Sequence, residues 1–188
     1  AARGHQVRVL TTDSGGMERL RDVPKAGMAA IVDGMEVIYY RNASNWLAYH
    51  QRIFWPPDFF SNIRSQVRQF DIVHAHELRS PLTVASSSAA YHSGRPFVIS
   101  PHGGLRHLGK KLAKQIFDVA WGNRILRRAS GLFAVSPLEV QDARNLGVDH
   151  PKIRLVPNAI DDDLFRHLPR RDRAQQPGDD QCGPDGLL

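Results

Sequence analysis

From Val7 to Pro157, short β-branched runs alternate with longer stretches of helical spacing, the rhythm of a parallel sheet crossed by helices. Val7-Arg8-Val9-Leu10-Thr11 reads as the first strand. A loop rich in glycine and charge follows, then Ala29 to Val32 and Met35-Glu36-Val37-Ile38-Tyr39-Tyr40, with Asp33-Gly34 between them as a strong hairpin signal. The aromatic stretch around Trp46, Tyr49 and Trp55 shows no regular period and ends at Pro56-Pro57. Beyond it, Phe60, Ile63, Val67 and Phe70 are spaced for a helix, and Asp71-Ile72-Val73-His74-Ala75-His76 for a strand.

Ser80-Pro81 supplies an N-cap and a first-turn proline for a helix that Gly94 stops, after which Pro96-Phe97-Val98-Ile99-Ser100 returns as a strand. A longer helix is predicted from about Leu105 to Ala129, with Leu108, Leu112, Ile116, Val119 and Leu126 on its apolar face. Gly131 to Val135 is the next buried strand. Ser136-Pro137-Leu138-Glu139 is a capping-box pattern opening a helix that Gly147 closes, and Ile153 to Val156 is the last strand. The predicted fold class is α/β, a Rossmann-like parallel sheet with flanking helices. Apolar periodicity stops after Phe165, and Arg166 to Leu188 reads as disordered.

Composition narrows the picture in three ways. At 188 residues, with 41% hydrophobic and 23% charged, the chain can bury an ordinary globular core, which excludes collagen-like and wholly disordered classes. Its single cysteine, Cys182, allows neither an internal disulfide nor a multi-thiolate metal site, so a reducing compartment is expected. No run approaches the ~18 apolar residues of a membrane span, and Ala1-Ala2-Arg3-Gly4-His5 lacks the apolar segment of a signal peptide. A cytoplasmic location is the expectation. The net charge of +6 points to anionic company, whether nucleic acid, acidic lipid or phosphorylated substrate. Arg166 to Leu188 holds four basic and four acidic residues, so the whole surplus belongs to the folded region.

Ligands of open parallel sheets bind beyond the carboxyl ends of the strands, which singles out three places. In His74-Ala75-His76-Glu77, strand alternation puts both histidines on one face with His76 and Glu77 nearest the crevice. His74 reads more plainly as a core histidine of a sheet covered on both sides. In Ser100-Pro101-His102-Gly103-Gly104, a histidine that can serve as acid, base or hydrogen-bond donor precedes two glycines and a helix start, a setting that can receive a phosphate or oxyanion. The third, Pro157-Asn158-Ala159-Ile160-Asp161, is also what a plain turn looks like. A fourth feature lies on the Leu105–Ala129 helix. Lys110, Lys111, Lys114, Arg124 and Arg128 oppose the leucine face, interleaved with Phe117, Trp121 and Ile125, a pattern that suits an anionic membrane and equally a stripe packed under a neighbour.

Taken together, these segments resemble the N-terminal domain of glycosyltransferase family 4, the retaining GT-B sugar transferases. Arg3-Gly4-His5-Gln6-Val7-Arg8-Val9-Leu10-Thr11 is similar to the family's second strand and its arginine-glycine-histidine approach. Asp71 to Glu77 resembles the strand that ends in a histidine pair, and Gly94 to Gly104 the strand and histidine-glycine turn facing the acceptor. Val135-Ser136 resembles the serine that opens the next helix, and Lys152 to Asp161 the strand entering the interdomain linker. The resemblance implies transfer of a sugar from a nucleotide-diphosphate sugar to an acceptor hydroxyl of a polysaccharide or lipid-linked glycan, with retention and without an obligatory metal or other cofactor. It implies that His102 sits at the reacting centre as the catalytic residue, that Gly103 and Gly104 shape its turn, and that His76 and Glu77 line the acceptor side, with Ser136 a further binding residue. No nucleic-acid partner is expected, and the basic, aromatic-bearing helix suits a peripheral place at the inner face of the membrane through Lys110, Lys111, Lys114, Phe117 and Trp121.

Against the family pattern, a first strand, a glycine-rich loop and a first helix are expected before Ala1, and a donor domain after the linker. Residues 1–160 are therefore expected to form an incomplete N-terminal domain, inactive alone, and residues 161–188 a linker remnant and disordered tail that looks like a truncation or shifted reading frame. Two other readings compete. One is a non-catalytic module binding a glycan or anionic lipid. The other is a hydrolase whose metal is held by His74, His76 and Glu77, since His-x-His provides two of the three ligands that catalytic zinc needs.

Overall fold

A computed structural model of the chain describes residues 4–21, 23–24, 27–106 and 111–159, with the side chain of Lys111 left aside. Ala1–Pro157 is one compact unit and Asn158–Leu188 a second. The tail after Phe165, Cys182, Asp161, Leu108 and Lys110 lie outside the described residues.

Three sheets organise the first unit. β1 (Arg8–Thr12) runs parallel to β5 (Met35–Tyr40), and β5 pairs antiparallel with β4 (Ala29–Val32). Asp33 and Gly34 join β4 to β5 at φ 50° and 73°, the left-handed pair of a tight hairpin turn, as the Asp-Gly signal predicts. β2 (Ser14–Gly15) and β3 (Glu18–Arg19) form a two-stranded ladder inside the loop that the sequence marks only as rich in glycine and charge. The third sheet is wholly parallel: β6 (Val73–His76), β7 (Phe97–Ser100), β8 (Gly131–Ala134) and β9 (Ile153–Leu155) lie side by side in chain order. All four residues of β7 are buried, because helices cover a central parallel strand on both faces. β6, at one edge, is half covered.

The helices close over this sheet. α2 (Pro57–Val67) buries Phe59, Ile63 and Val67, and α3 (Pro81–His92) buries Thr83, Ser86, Ala89 and Ala90. With Ile99, Leu132, Ala134, Leu126 and Ile153 the apolar ones among them form one continuous core. Caps fall where the sequence puts them. Ser80 accepts a hydrogen bond from the Leu82 amide, and Pro81 follows in the first turn. At the far end, the amides of Gly94 and Arg95 bond Tyr91 and Ala90 carbonyls at 3.2 and 2.9 Å, a Schellman motif with Gly94 at φ 62°. Gly147 ends α6 (Pro137–Asn145) in the same way, with Val148 bonding Ala143 at 3.1 Å.

Two sequence expectations are corrected. The aperiodic aromatic stretch contains a helix, α1 (Asn45–Gln51), capped by Ser44 at the Leu47 amide. Its Trp46 and Tyr49 stay exposed, so no apolar face announces it. What anchors it is the fully buried Asn42, whose amide reaches the Asp13 carboxylate at 2.8 Å and whose side-chain oxygen accepts from the Trp55 amide at 2.7 Å.

The second correction concerns the long helix. Residues 102–106 turn rather than wind, and the described helix begins at Lys111. It runs as α4 (Lys111–Phe117), a π turn at Asp118–Gly122, and α5 (Asn123–Arg128). Its predicted apolar face is only partly inward: Leu126 is buried as expected, but Leu112, Ile116 and Val119 are exposed, and Asp118, Gly122 and Ile125 take the inward side. Of the interleaved aromatics, Phe117 is half-buried and Trp121 exposed. A charge accounts for the inward side at Asp118. Arg79, in the loop after β6, grips the Asp118 carboxylate through Nε at 2.9 Å and Nη2 at 2.6 Å, and so turns that side of the helix inward. Gly122 permits the grip, because a Cβ there would stand 2.6 Å from Asp118 Oδ1.

Both partners of this ion pair are nearly buried, so Asp118→Ala leaves a desolvated guanidinium and is expected to cost ~3 kcal/mol in urea unfolding. The paired apolar replacement Arg79→Met with Asp118→Leu is expected to recover most of that loss.

Candidate functional site

Parallel register brings the carboxyl ends of β6, β7 and β8 to one edge. Val73 lies opposite Phe97 and His76 opposite Ser100, so the residues that follow each strand are neighbours. His76 Nδ1 stands 2.8 Å from His102 Nε2, and the two rings lie edge to edge and nearly coplanar, with centroids 5.1 Å apart at an interplanar angle of 13°. One proton joins the two imidazoles, since a neutral ring donates through one nitrogen and accepts through the other. The pair is open to solvent. Each ring retains a second nitrogen, Nε2 of His76 and Nδ1 of His102, with which to meet a ligand hydroxyl or phosphate oxygen.

His74 sits behind this pair. As alternation requires, it shares a face with His76, with ring centroids 4.5 Å apart. The expectation of a core histidine is not met: His74 is outside the buried cluster and forms a half-buried hydrogen bond with Ser100 Oγ at 2.8 Å. The edge position of β6 explains it, since among the described residues no further strand of this sheet flanks that side. Among the described residues no three His, Cys, Asp or Glu side chains gather as a metal site.

The turn that carries His102 is strained and held from two sides. His102 and Gly103 have φ of 50° and 78°, and the Gly104 amide closes the turn on the Pro101 carbonyl at 2.9 Å. A left-handed backbone is unusual for a histidine. Gly104 has no substitute, for a Cβ there would lie 2.7 Å from the Pro101 oxygen. From one side Glu139, only 3% exposed, accepts the Gly103 amide on Oε1 at 2.6 Å and the Val135 amide on Oε2 at 2.9 Å. From the other side Arg79 donates to the Gly104 and Leu105 carbonyls while it holds Asp118.

These bonds change the expected role of the glycines. The Gly103 amide is occupied by a carboxylate and the Gly104 amide by the turn itself, and the next described helix starts only at Lys111. The two glycines therefore shape the turn and present no free amide cradle to an anion. Glu77 adopts φ 65°, its amide bonds the Ser100 carbonyl at 2.9 Å, and its own carbonyl accepts from Thr83 Oγ1 at 2.8 Å. Ser136, at the end of β8, caps α6 by accepting the Glu139 amide at 3.2 Å. The capping box is thus half formed: Glu139 turns its carboxylate away from the cap and toward the His102 turn. Arg79 and Glu139 as holders of that turn went unseen in the sequence. The only signal was a glutamate at the capping-box position.

A family model described as Glycosyltransferase Family 4 matches residues 1–164. The chain belongs to that family. Its fold is that of the N-terminal Rossmann-like half of a GT-B glycosyltransferase. HepE from Anabaena, solved with UDP-glucose, is 15% identical over 85% of this chain and 46% of its own, with a TM-score of 0.52. The same protein solved with UDP and glucose is 16% identical over 70% of this chain and 33% of its own, with a TM-score of 0.51. The family 4 chain therefore spans less than half the length of these solved structures. No curated protein matches it.

Two outcomes follow from the site. Glu139→Ala leaves the Gly103 and Val135 amides without their acceptor and is expected to cost ~2 kcal/mol. It should also speed hydrogen exchange at the Gly103 amide well beyond the change in global stability. Burial first, then neighbouring imidazoles, holds His74 and His76 below the usual histidine range of 6.5, while Glu77 pulls His76 partly back. The folded state thus binds fewer protons than the unfolded chain, so this contribution to stability is full above 6.5 and is lost as pH falls through the lowered values. Urea midpoints measured from about pH 7 down to about pH 5 should decline, and His76→Asn should flatten the decline.

Proposed function

We propose that this family 4 chain is the acceptor-side domain of a retaining sugar transferase. In this reading the sugar passes from a nucleotide-diphosphate sugar to a hydroxyl of a polysaccharide or lipid-linked glycan. The observation that carries the reading is the coplanar, hydrogen-bonded His76–His102 pair at the carboxyl ends of adjacent parallel strands, where open sheets receive their ligands. The binding of UDP-glucose by HepE, which shares the fold, supports a nucleotide sugar as donor.

His102 then meets the donor sugar or its phosphate. A hydrogen bond from its imidazole stabilises the charge that develops as the phosphate oxygen leaves the anomeric carbon and the acceptor hydroxyl bonds to that carbon, passing its proton to the departing phosphate oxygen. His76 fixes the ring of His102 and, with Glu77, lines the acceptor side, while Gly103 and Gly104 set the turn. Ser136 lies at the next strand end. The acid–base work needs no metal. The chain supplies the acceptor half of the cleft and is inactive by itself.

Two measurements test this. Assayed alone across a panel of nucleotide sugars, the chain should form no transfer product, and clear turnover would overturn the claim of inactivity. In imidazole-selective NMR titrations with oligosaccharide acceptors, the His76 and His102 resonances should move together, and His76→Ala should weaken acceptor binding about tenfold. Acceptor binding that leaves both imidazoles unmoved would sink the acceptor-site reading.

A further inference from the structure

Besides the carboxyl ends of β6 and β7, the fold offers a second pair of parallel strand ends, those of β1 and β5. Thr12 lies opposite Tyr40, so the residues that leave the two strands, Asp13 and Arg41-Asn42, are neighbours. Polar contacts lock them together. The Asp13 carboxylate accepts the Asn42 amide at 2.8 Å and a guanidinium N–H of Arg19, and Arg19 donates in turn to the Asn42 carbonyl at 2.8 Å. Asn42 is fully buried, and its side chain donates to the Ser44 carbonyl at 2.8 Å while accepting from the Trp55 amide at 2.7 Å. Every polar group of this asparagine is thereby engaged, so it forms a fixed floor.

Over that floor opens a cavity of about 260 Å³, lined by Arg19, Arg41, Asn42, Ala43, Pro57 and Asp58. The network beneath accounts for Asn42 and for part of the Arg19 fork. It does not account for Arg41 and Asp58. Both are exposed, both line the cavity, and neither side chain has a hydrogen bond or ion pair among the described residues. A guanidinium and a carboxylate that share a cavity without pairing leave donors and acceptors unused in one place. Arg19 adds the N–H groups that its two bonds to the floor do not take.

We propose that this cavity binds one ring of a neutral saccharide, held through its hydroxyls by Arg41, Arg19 and Asp58. A hydroxyl both donates and accepts, so neighbouring hydroxyls of a ring meet a carboxylate and a guanidinium at once, and bonds to ionised partners are the strong ones. A phosphate or a sugar acid fits less well, because Asp58 repels it and the charge of Arg19 is already balanced by Asp13. A volume just below the ~300–1,000 Å³ of drug-sized pockets suits a single ring and not a nucleotide. The inference rests on the acceptor-side reading for its class of ligand, and adds a recognition subsite at strand ends other than those of His76 and His102.

The test is NMR on the full chain, following the Nε–H resonances of Arg19 and Arg41 and the backbone amides of Ala43 and Asp58. The probes are methyl α-D-glucopyranoside, methyl α-D-mannopyranoside and methyl β-D-galactopyranoside, with glucuronate and inorganic phosphate as anionic arms. At least one neutral glycoside should shift these resonances saturably. Arg41→Ala and Asp58→Asn should each weaken that binding about tenfold, with little change in the urea midpoint because neither side chain has a protein partner. The imidazoles are not part of this readout, so a silent His76 overturns the acceptor site at the other strand ends and not this one. The proposal is overturned if no neutral glycoside gives a saturable shift, if either variant binds as the parent chain does, or if glucuronate or phosphate displaces the glycosides and gains affinity in Asp58→Asn.

Discussion

The guanidinium of Arg79 is the point at which the candidate site and the long helix are tied together. It is a residue of the loop after β6, it grips Asp118 in the middle of the helix, and it donates to the two carbonyls that leave the His102 turn. A planar fork of fixed geometry suits this task better than a flexible ammonium, because several acceptors are met at once with little further loss of freedom. An isolated charge at this depth would be costly, but here the opposite charge and the carbonyls surround it. Fold and site therefore share one electrostatic anchor.

Glu139 plays the complementary part. Its carboxylate holds amides from two separate strand ends, so the turn after β7 cannot move without disturbing the start of α6. Between a buried anion on one side and a nearly buried cation on the other, a histidine keeps a left-handed backbone that it would not choose in isolation. The imidazole ends up against a second imidazole on the neighbouring strand, in a place fixed by sheet register and not by loop chance. Preorganisation of this kind spares a ligand the cost of arranging the groups that receive it.

Much of the architecture could be read from the chain because its signals are local. Asp33-Gly34, Ser80-Pro81 with Gly94, and Ser136-Pro137 with Gly147 act over four or five residues and fold as their chemistry dictates. The strand ends bearing His76 and His102 were legible for the same reason. What escaped is long-range. Arg79 and Asp118 are 39 residues apart, Gly103 and Glu139 are 36, and no periodicity links such pairs. α1 escaped because its aromatics face solvent and a buried asparagine, not an apolar stripe, anchors it. Leu112, Ile116 and Val119 were misplaced, while Leu126 was not, because apolar spacing assumes a uniform 3.6-residue turn and a core that attracts only aliphatic groups. An ion pair and a wider turn break both assumptions.

The π turn at Asp118–Gly122 has a further meaning for the chain as a heritable object. One residue more than a regular turn rotates everything downstream by ~100° relative to an uninterrupted helix. The turn thus works as a phase shifter between two half-helices: one half shows Leu112 and Ile116 to solvent, the other buries Ile125 and Leu126. Shortening the chain by one residue at this point would leave the composition of the surface intact and scramble its layout, so the length of this segment carries information that its residues alone do not.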